Sequence, residues 1–212
     1  FTMNGEQLEP QDQNCGPVAG AILENFPKEV EAATSYCLWV HDPLYHGSVR
    51  FEARKLAADS LFFQTMGIEV LSGTPVKDLA QKDVVNLSDR LARKMFDTEN
   101  PIGKVISYSK EIELTVKGTY ADIPENATVR PEAVISLPSI WSRKWGNYSW
   151  RGGDSWLAFI RFRPGADKSV VNARIDAMIQ KYRPAEDQKV VGYTAFVKPI
   201  RDVYRDNKDV RR

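Results

Sequence analysis

The sequence has no apolar run long enough to span a membrane and no marked excess of charge of either sign. Among 212 residues, 29 basic side chains are balanced by 28 acidic ones, which gives a formal charge of +1. A near-neutral chain lacks the positive charge on which nucleic-acid binding depends, so we expect no nucleic-acid partner. Because the chain starts at Phe1, with neither an initiator methionine nor a leader, we expect it to be a piece of a longer protein.

Cysteine is scarce, and the two present show no metal-binding spacing. Cys15 and Cys37 could form a disulfide in an oxidising compartment, closing a loop of roughly 20 residues worth about 3 kcal/mol. The sequence cannot place their Cα atoms, and two buried free thiols are the favoured alternative.

The motifs of catalysis and nucleotide binding are also absent. The sequence contains no G-x-S-x-G, no G-x-x-x-x-G-K-[ST] and no G-x-G-x-x-G, so we expect neither an enzyme nor a nucleotide or other cofactor. Its two histidines, His41 and His46, flank Asp42 downstream of Cys37. This spacing matches no closed zinc pattern, and a polar turn between strands explains it better.

The most regular stretch is VVNLSDRLARKMF (84–96), followed by NPIGKVI (100–106). Its first residues are typical of a buried strand, and Ser88 stands where a helix N-cap would. The apolar side chains of the predicted helix share one face: Leu91, Met95 and Phe96. Pro101 ends the helix, and Gly103 permits a positive φ before the next strand. The stretch predicts strand, helix, turn and strand.

Elsewhere, short strands and helices are mixed, and this mixture is typical of an α+β fold. The clearest strand is EIELTVKGTY (111–120), and the strongest helix spans 167–182. Strand, helix and strand follow one another at both ends of the chain. We therefore expect one subdomain built from the two ends, with the middle segment inserted into it.

An aromatic region spans 138–155, with Trp156 at the start of the next predicted strand, and we interpret it as a loop. Trp150 and Trp156 are expected to pack beneath it, because large aromatic side chains are usually buried. Trp141 and Trp145 lie beside Arg143 and Lys144 and are the best candidates for an exposed contact with a partner.

The 84–106 stretch resembles the VV-x-[IL]-S-x-x-[LA]-A-x-x-[LM]-F … NPIGK pattern of the MacB-like periplasmic core domain. That domain lies between the first two transmembrane helices of FtsX-like ABC transporter permeases. Five further pieces are similar to the family's motifs and follow in its order: NFPKEVE (25–31), DSLFF with LSG (59–73), VKG with ADIPENAT (116–128), 158–180, and PIRDVY (199–204). The FPEVE-like and D-x-P-x-N details are most similar to permeases of Bacteroides-type bacteria.

The resemblance implies a porter-like βαβ subdomain formed from both chain ends, 1–71 and 156–212, with a mixed α/β, Sabre-like subdomain inserted at 72–155. It implies a noncatalytic periplasmic domain of an inner-membrane protein, which couples cytoplasmic ATP hydrolysis to periplasmic work such as efflux or control of envelope processes. The implied partners are the protein's own transmembrane helices and a cytoplasmic ATPase subunit, and beyond these a second permease copy and a periplasmic adaptor or lipoprotein. The rival hypothesis is a periplasmic sensing or binding module for a peptide or an envelope protein.

Overall fold

The computed structural model describes residues 2–3, 6–7, 13–143, 148–151, 156–183, 191–192 and 195–202. Fourteen strands lie in these ranges: β1 Thr2–Met3, β2 Glu6–Gln7, β3 Gln13–Asn14, β4 Val30–Cys37, β5 Leu44–His46, β6 Val49–Phe51, β7 Lys55–Ala58, β8 Val70–Ser72, β9 Val84–Ser88, β10 Val105–Tyr108, β11 Ile112–Tyr120, β12 Ala133–Ser136, β13 Trp156–Phe162 and β14 Val191–Gly192. The helices there are α1 Val18–Asn25, α2 Phe62–Met66, α3 Pro75–Asp78, α4 Asp89–Phe96, α5 Leu137–Trp141 and α6 Lys168–Tyr182.

One large mixed sheet runs through most of the molecule. Its strands lie in the order β3-β13-β4-β7-β12-β9-β11-β10-β5-β6, and β8 pairs with β11 beside this path. Strand β12 is parallel to β7, and β11 is parallel to β9, whereas the other pairs are antiparallel. The predicted α+β class is confirmed.

The 84–106 stretch has the predicted structure. Strand β9 is buried along its whole length, and the Ser88 hydroxyl accepts the Leu91 N–H at 3.2 Å, which caps α4. Gly103 has a φ of +83° in the turn before β10, and its N–H donates to the Val116 carbonyl at 2.8 Å. Because Val116 belongs to β11, the turn is attached to the neighbouring strand.

Among the residues that the structure describes, three clusters of buried side chains form the core. The largest packs α4 and α5 against β9, β10, β11 and β12. A second packs α1 and α6 against β4 and β13. The third lies beneath α2, where it includes side chains of β4, β7, β11 and β12. Helices therefore cover the sheet in separate places, and each cluster joins segments that are distant in the sequence.

The stretch GSVRFEARKLAA (47–58) alternates apolar and polar side chains, a pattern that predicts a single half-buried strand. In the structure it forms two strands, because the chain leaves the sheet edge at β6 and enters between β4 and β12 as β7. All four β7 residues are buried. The loop expected from 138 onwards begins with helix α5, whose first turn holds Pro138, a position that proline suits because it needs no N–H donor there.

The sheet continues without interruption between strands of the predicted end-built subdomain and those of the predicted insertion. Strand β7 pairs with β12, and β5 pairs with β10. Segments from the first and last parts of the chain also pair, since β1 is antiparallel to β14 and Thr2 lies opposite Gly192. The division at 71/72 and 155/156 stays a prediction.

Candidate partner-contact surface

Helix α5 carries the predicted contact residue Trp141 and is held by a polar network at its base. The Ser136 and Ser139 hydroxyl oxygens lie 2.5 Å apart, and the Ser139 hydroxyl accepts the Asp83 N–H at 2.7 Å. The Arg143 guanidinium donates to the Asp83 carboxylate at 2.8 Å. Arg143 therefore serves to hold α5 against the start of β9, while Trp141 is left to face solvent.

Four aromatic rings form a continuous series, which we call the aromatic ladder: Trp141, Tyr148, Trp156 and Trp39. Successive ring centroids lie 4.8 Å, 5.2 Å and 5.9 Å apart. Offset and edge-to-face arrangements at such distances are favourable because each ring's electron-poor edge meets a neighbour's face. The ladder joins α5, the 148–151 segment, the start of β13 and the end of β4.

The ladder is buried in the middle and exposed at both ends. Trp156 is 2% exposed, whereas Trp141 is 51% and Trp39 is 38% exposed, and Leu38 beside Trp39 is 49% exposed. Burial raises the pKa of the half-buried Tyr148 to about 12. The rings at the two ends expose aromatic surface to solvent, and the rings between them hold the two end rings in position.

The 148–151 segment is docked against the first and last helices. A Cβ at Gly16 would lie 2.4 Å from the Tyr148 ring, so only glycine lets the ring approach this closely. The Trp150 ring stacks on Tyr182 at the end of α6, with centroids 5.0 Å apart and planes 11° apart. The sequence prediction that Trp150 and Trp156 pack inside rather than face solvent agrees with these contacts.

Of the two tryptophans predicted as exposed contacts, the structure places one. Trp141 is exposed as described above, and Trp145 lies outside the described residues. Sequence analysis missed Trp39 and Leu38 as members of this surface, because the pattern predicts one strand over 30–40, ended by His41-Asp42-Pro43. In the structure β4 ends at Cys37, so both residues lie beyond the strand.

In the structure Cys15 and Cys37 are buried and are not bridged to each other. Trp156 pairs with Asn14 on one side and with Cys37 on the other, so strand β13 separates the two cysteine-bearing segments. Two strand spacings amount to roughly 10 Å, beyond the roughly 7 Å that a bridge tolerates between Cα atoms. The structure thus agrees with the favoured alternative of two buried thiols.

The His41, Asp42, His46 and Cys37 group does not converge on a metal site. Among the described residues, no three His, Cys, Asp or Glu side chains are arranged to hold a metal ion. The His46 ring lies 4.5 Å from the Phe96 ring and so packs on α4. Burial raises the pKa of the Cys37 thiol to about 11, which disfavours the thiolate that metal binding or nucleophilic attack requires.

One open cleft of about 420 Å³ lies beside α4 and the turn that follows it. Three of its four charged lining residues form ion pairs: Asp89 with Arg93 at 2.7 Å on α4, and Glu99 with Lys104 at 2.7 Å. Exposed ion pairs of this kind contribute little to stability.

The architecture is the α+β fold seen in extracytoplasmic domains of transporter permeases. No protein-family model and no curated protein sequence matches the chain, so the comparison rests on solved structures. In the part of the chain that the structure describes, no helix is both long and apolar enough to cross a membrane.

Three solved structures have this fold. A domain of a Porphyromonas gingivalis protein assigned as a permease superimposes with a TM-score of 0.72 at 22% identity, covering 94% of this chain and 89% of that one. The periplasmic region of MacB from Actinobacillus actinomycetemcomitans gives 0.64 at 15% identity, covering 93% and 84%. The extracellular domain of the noncanonic ABC-type transporter YknZ from Gram-positive bacteria gives 0.60 at 11% identity, covering 85% and 90%.

Proposed function

We propose that this chain is the noncatalytic extracytoplasmic domain of an ABC transporter permease of the bacterial inner membrane. The observation that carries the proposal is that two independent likenesses coincide. The fold matches permease domains over nearly the whole chain, and the strongest sequence motif, 84–106, forms the capped β9–α4–β10 unit at the centre of the sheet.

In this proposal the domain transmits movement instead of performing chemistry. Strands β1 and β14 pair, so the segments that would lead to membrane helices lie side by side. A displacement of one helix relative to the other would then act on a single end of the molecule. Because close-packed interiors deform little, the continuous sheet would carry that displacement to the opposite end. ATP hydrolysis by a cytoplasmic subunit would supply the energy for efflux or for control of an envelope process.

The partners that follow are the permease's own membrane helices and the ATPase. A second permease copy, a periplasmic adaptor or a lipoprotein would be the recipient of the movement. The two-subdomain division, with a porter-like unit from both ends and a Sabre-like insertion at 72–155, belongs to the same proposal.

The first experiment is to determine the coding sequence on both sides of residues 1 and 212. We expect an apolar span of about 20 residues close to each end, with an ATPase gene alongside. The full-length protein should then co-purify with that ATPase. Soluble sequence on both sides would overturn the proposal.

The exposed ends of the aromatic ladder favour one second candidate function, a periplasmic binding module for a peptide or an envelope protein. Trp39, Leu38 and Trp141 are between 38% and 51% exposed, and exposed tryptophans are enriched among residues that dominate binding energy. Titration of the chain with candidate envelope peptides, followed by tryptophan fluorescence, tests this. A saturable shift that is lost in Trp141→Ala would support binding there, whereas an equal shift in the variant would place binding elsewhere.

A further inference from the structure

Two large apolar side chains of the last described segment, 195–202, are exposed to solvent. Phe196 is 56% exposed and Ile200 is 57% exposed. Single exposed apolar residues are ordinary in soluble proteins. These two differ from such residues in two ways. The backbone beside Phe196 is hydrogen-bonded to helix α6, and the segment has a particular place in the fold.

Helix α6 fixes the backbone on both sides of Phe196. The Asp176 carboxylate accepts the Ala195 N–H, and the Asn172 side-chain oxygen accepts the Val197 N–H at 2.6 Å. The side chains of Ala195 and Val197 pack into the cluster beneath α1 and α6. Phe196 lies between two inward-facing residues, so the contacts that hold the segment also direct its ring outward.

Basic side chains accompany the two apolar ones. Lys198 is exposed, and the Arg201 side chain is 84% exposed, with its guanidinium 3.8 Å from the Asp202 carboxylate. From 198 to 212 the sequence has six basic and three acidic residues. Aromatic and aliphatic side chains interspersed with Lys and Arg suit the interface of an anionic bilayer, where rings enter the headgroup region and cations meet phosphates.

The segment also lies where a bilayer would be. Two residues separate its first residue, Ala195, from the end of β14, and β14 pairs with β1 near the other end of the chain. If both ends join membrane helices, this side of the domain faces the membrane. This step rests on the proposed function. The exposure of Phe196 and Ile200 and the hydrogen bonds on either side of Phe196 are independent of it.

We propose that Phe196 and Ile200 insert into the interfacial layer of an anionic phospholipid bilayer, with Lys198 and Arg201 at the level of the headgroups. Two half-exposed side chains bind weakly by themselves. In a membrane-tethered protein the effective concentration of lipid is high, so weak contacts are enough to set the domain's orientation.

The experiment is co-sedimentation of the 212-residue chain with vesicles of phosphatidylethanolamine and phosphatidylglycerol over a range of lipid concentrations. We expect F196S/I200S to lower the partition coefficient roughly ten-fold, since each serine removes about half of a large apolar side chain's transfer energy. The matched control is V76S/V105S, which alters side chains that are 51% and 50% exposed elsewhere and should bind as the original chain does. Circular dichroism and the thermal midpoint establish that both variants fold.

Binding that falls equally in both double variants would overturn the proposal, and so would no sedimentation of the unaltered chain. Retention of binding on vesicles of phosphatidylcholine alone, unchanged by salt, would refute the headgroup role of Lys198 and Arg201. The flanking-sequence experiment is independent. Membrane spans without vesicle binding refute the lipid contact alone, whereas vesicle binding without spans refutes the permease.

Discussion

The β9–α4–β10 unit is built from residues that are close together in the sequence, whereas the aromatic ladder joins residues that are far apart in it. In the first, Ser88 caps the helix that begins one residue later, and the NPIGK turn follows directly. In the second, Trp39 meets Trp156, and Trp156 meets Tyr148, so the rings are brought together by the pairing of distant segments in the sheet. Local signals specify the first region, and the order of strands specifies the second.

The largest effect should come from removing the buried middle of the ladder. Trp156→Ala should lower the free energy of unfolding by about 4 kcal/mol, because removing a fully buried tryptophan side chain leaves a cavity between its neighbours. Trp141→Ala, at the exposed end, should stay within about 1 kcal/mol. Urea denaturation followed by circular dichroism measures both. Equal losses would mean that the ladder has no distinct buried middle.

The matching change in the local unit is Leu91→Ala. Leu91 is 1% exposed on α4, so we expect a loss of about 3 kcal/mol. Lys94→Ala on the exposed face of the same helix is the control and should change stability by less than about 0.5 kcal/mol. A Leu91→Ala variant as stable as the control would contradict the packing of α4 on the sheet.

The third prediction concerns pH, through Cys37 beside the ladder. Burial raises the pKa of its thiol from 9.0 to about 11, so the folded protein keeps its proton where the unfolded chain releases it. This contribution to stability is complete below pH 9 and is lost as pH rises towards 11, by about 2 kcal/mol.

Because buried tyrosines also titrate in alkali, the quantity to measure is the difference between the original chain and Cys37→Ala. That difference should shrink as pH rises from neutrality to about 11. Thiol titration gives an independent check: under non-reducing conditions the unfolded chain should react as two free thiols and the folded chain as none. One disulfide in the unfolded chain would refute the separation of Cys15 from Cys37 by β13.

The smallest effect is expected at the helix cap. Ser88→Ala removes the acceptor for the Leu91 N–H and should cost about 1 kcal/mol. Ser88→Asp retains an acceptor and should recover most of this loss. If both variants lose the same free energy of unfolding, the burial of Ser88 matters more than its capping hydrogen bond. The stability of the unit would then depend less on local signals than we infer.

Much of the fold could be predicted because the relevant signals are short-range. The 84–106 stretch was predicted from its cap, its amphipathic pattern and its Pro-Ile-Gly turn, and the structure confirms each. The strand at 112–120 and the helix at 168–182 follow from alternation and periodicity in the same way. The division at 47–58 could not be predicted, because the alternating pattern does not record which strands the chain will join.

The candidate surface was only half predictable. The sequence indicated Trp141 through its basic neighbours. In the structure Arg143 forms an ion pair with Asp83, and the exposure of the Trp141 ring depends on how α5 is held. Trp39 was missed because the pattern places it in a strand, whereas β4 ends at Cys37 and Trp39 meets Trp156 from another part of the chain. Phe196 was missed because its outward direction is decided by Asn172 and Asp176 on α6.

By itself, the sequence determined the α+β class, the position of the central strand–helix–strand unit and the lack of catalytic and nucleotide-binding motifs. These properties depend on hydrogen bonds, caps and periodicity within about twenty residues. Only the tertiary structure decided that a strand separates the cysteines, that Trp156 is the buried centre of a ladder with exposed ends, and that β1 pairs with β14, which shortly precedes Phe196 in the sequence. Those facts depend on strand order, and strand order is set by which buried faces can cover one another once the whole chain has collapsed.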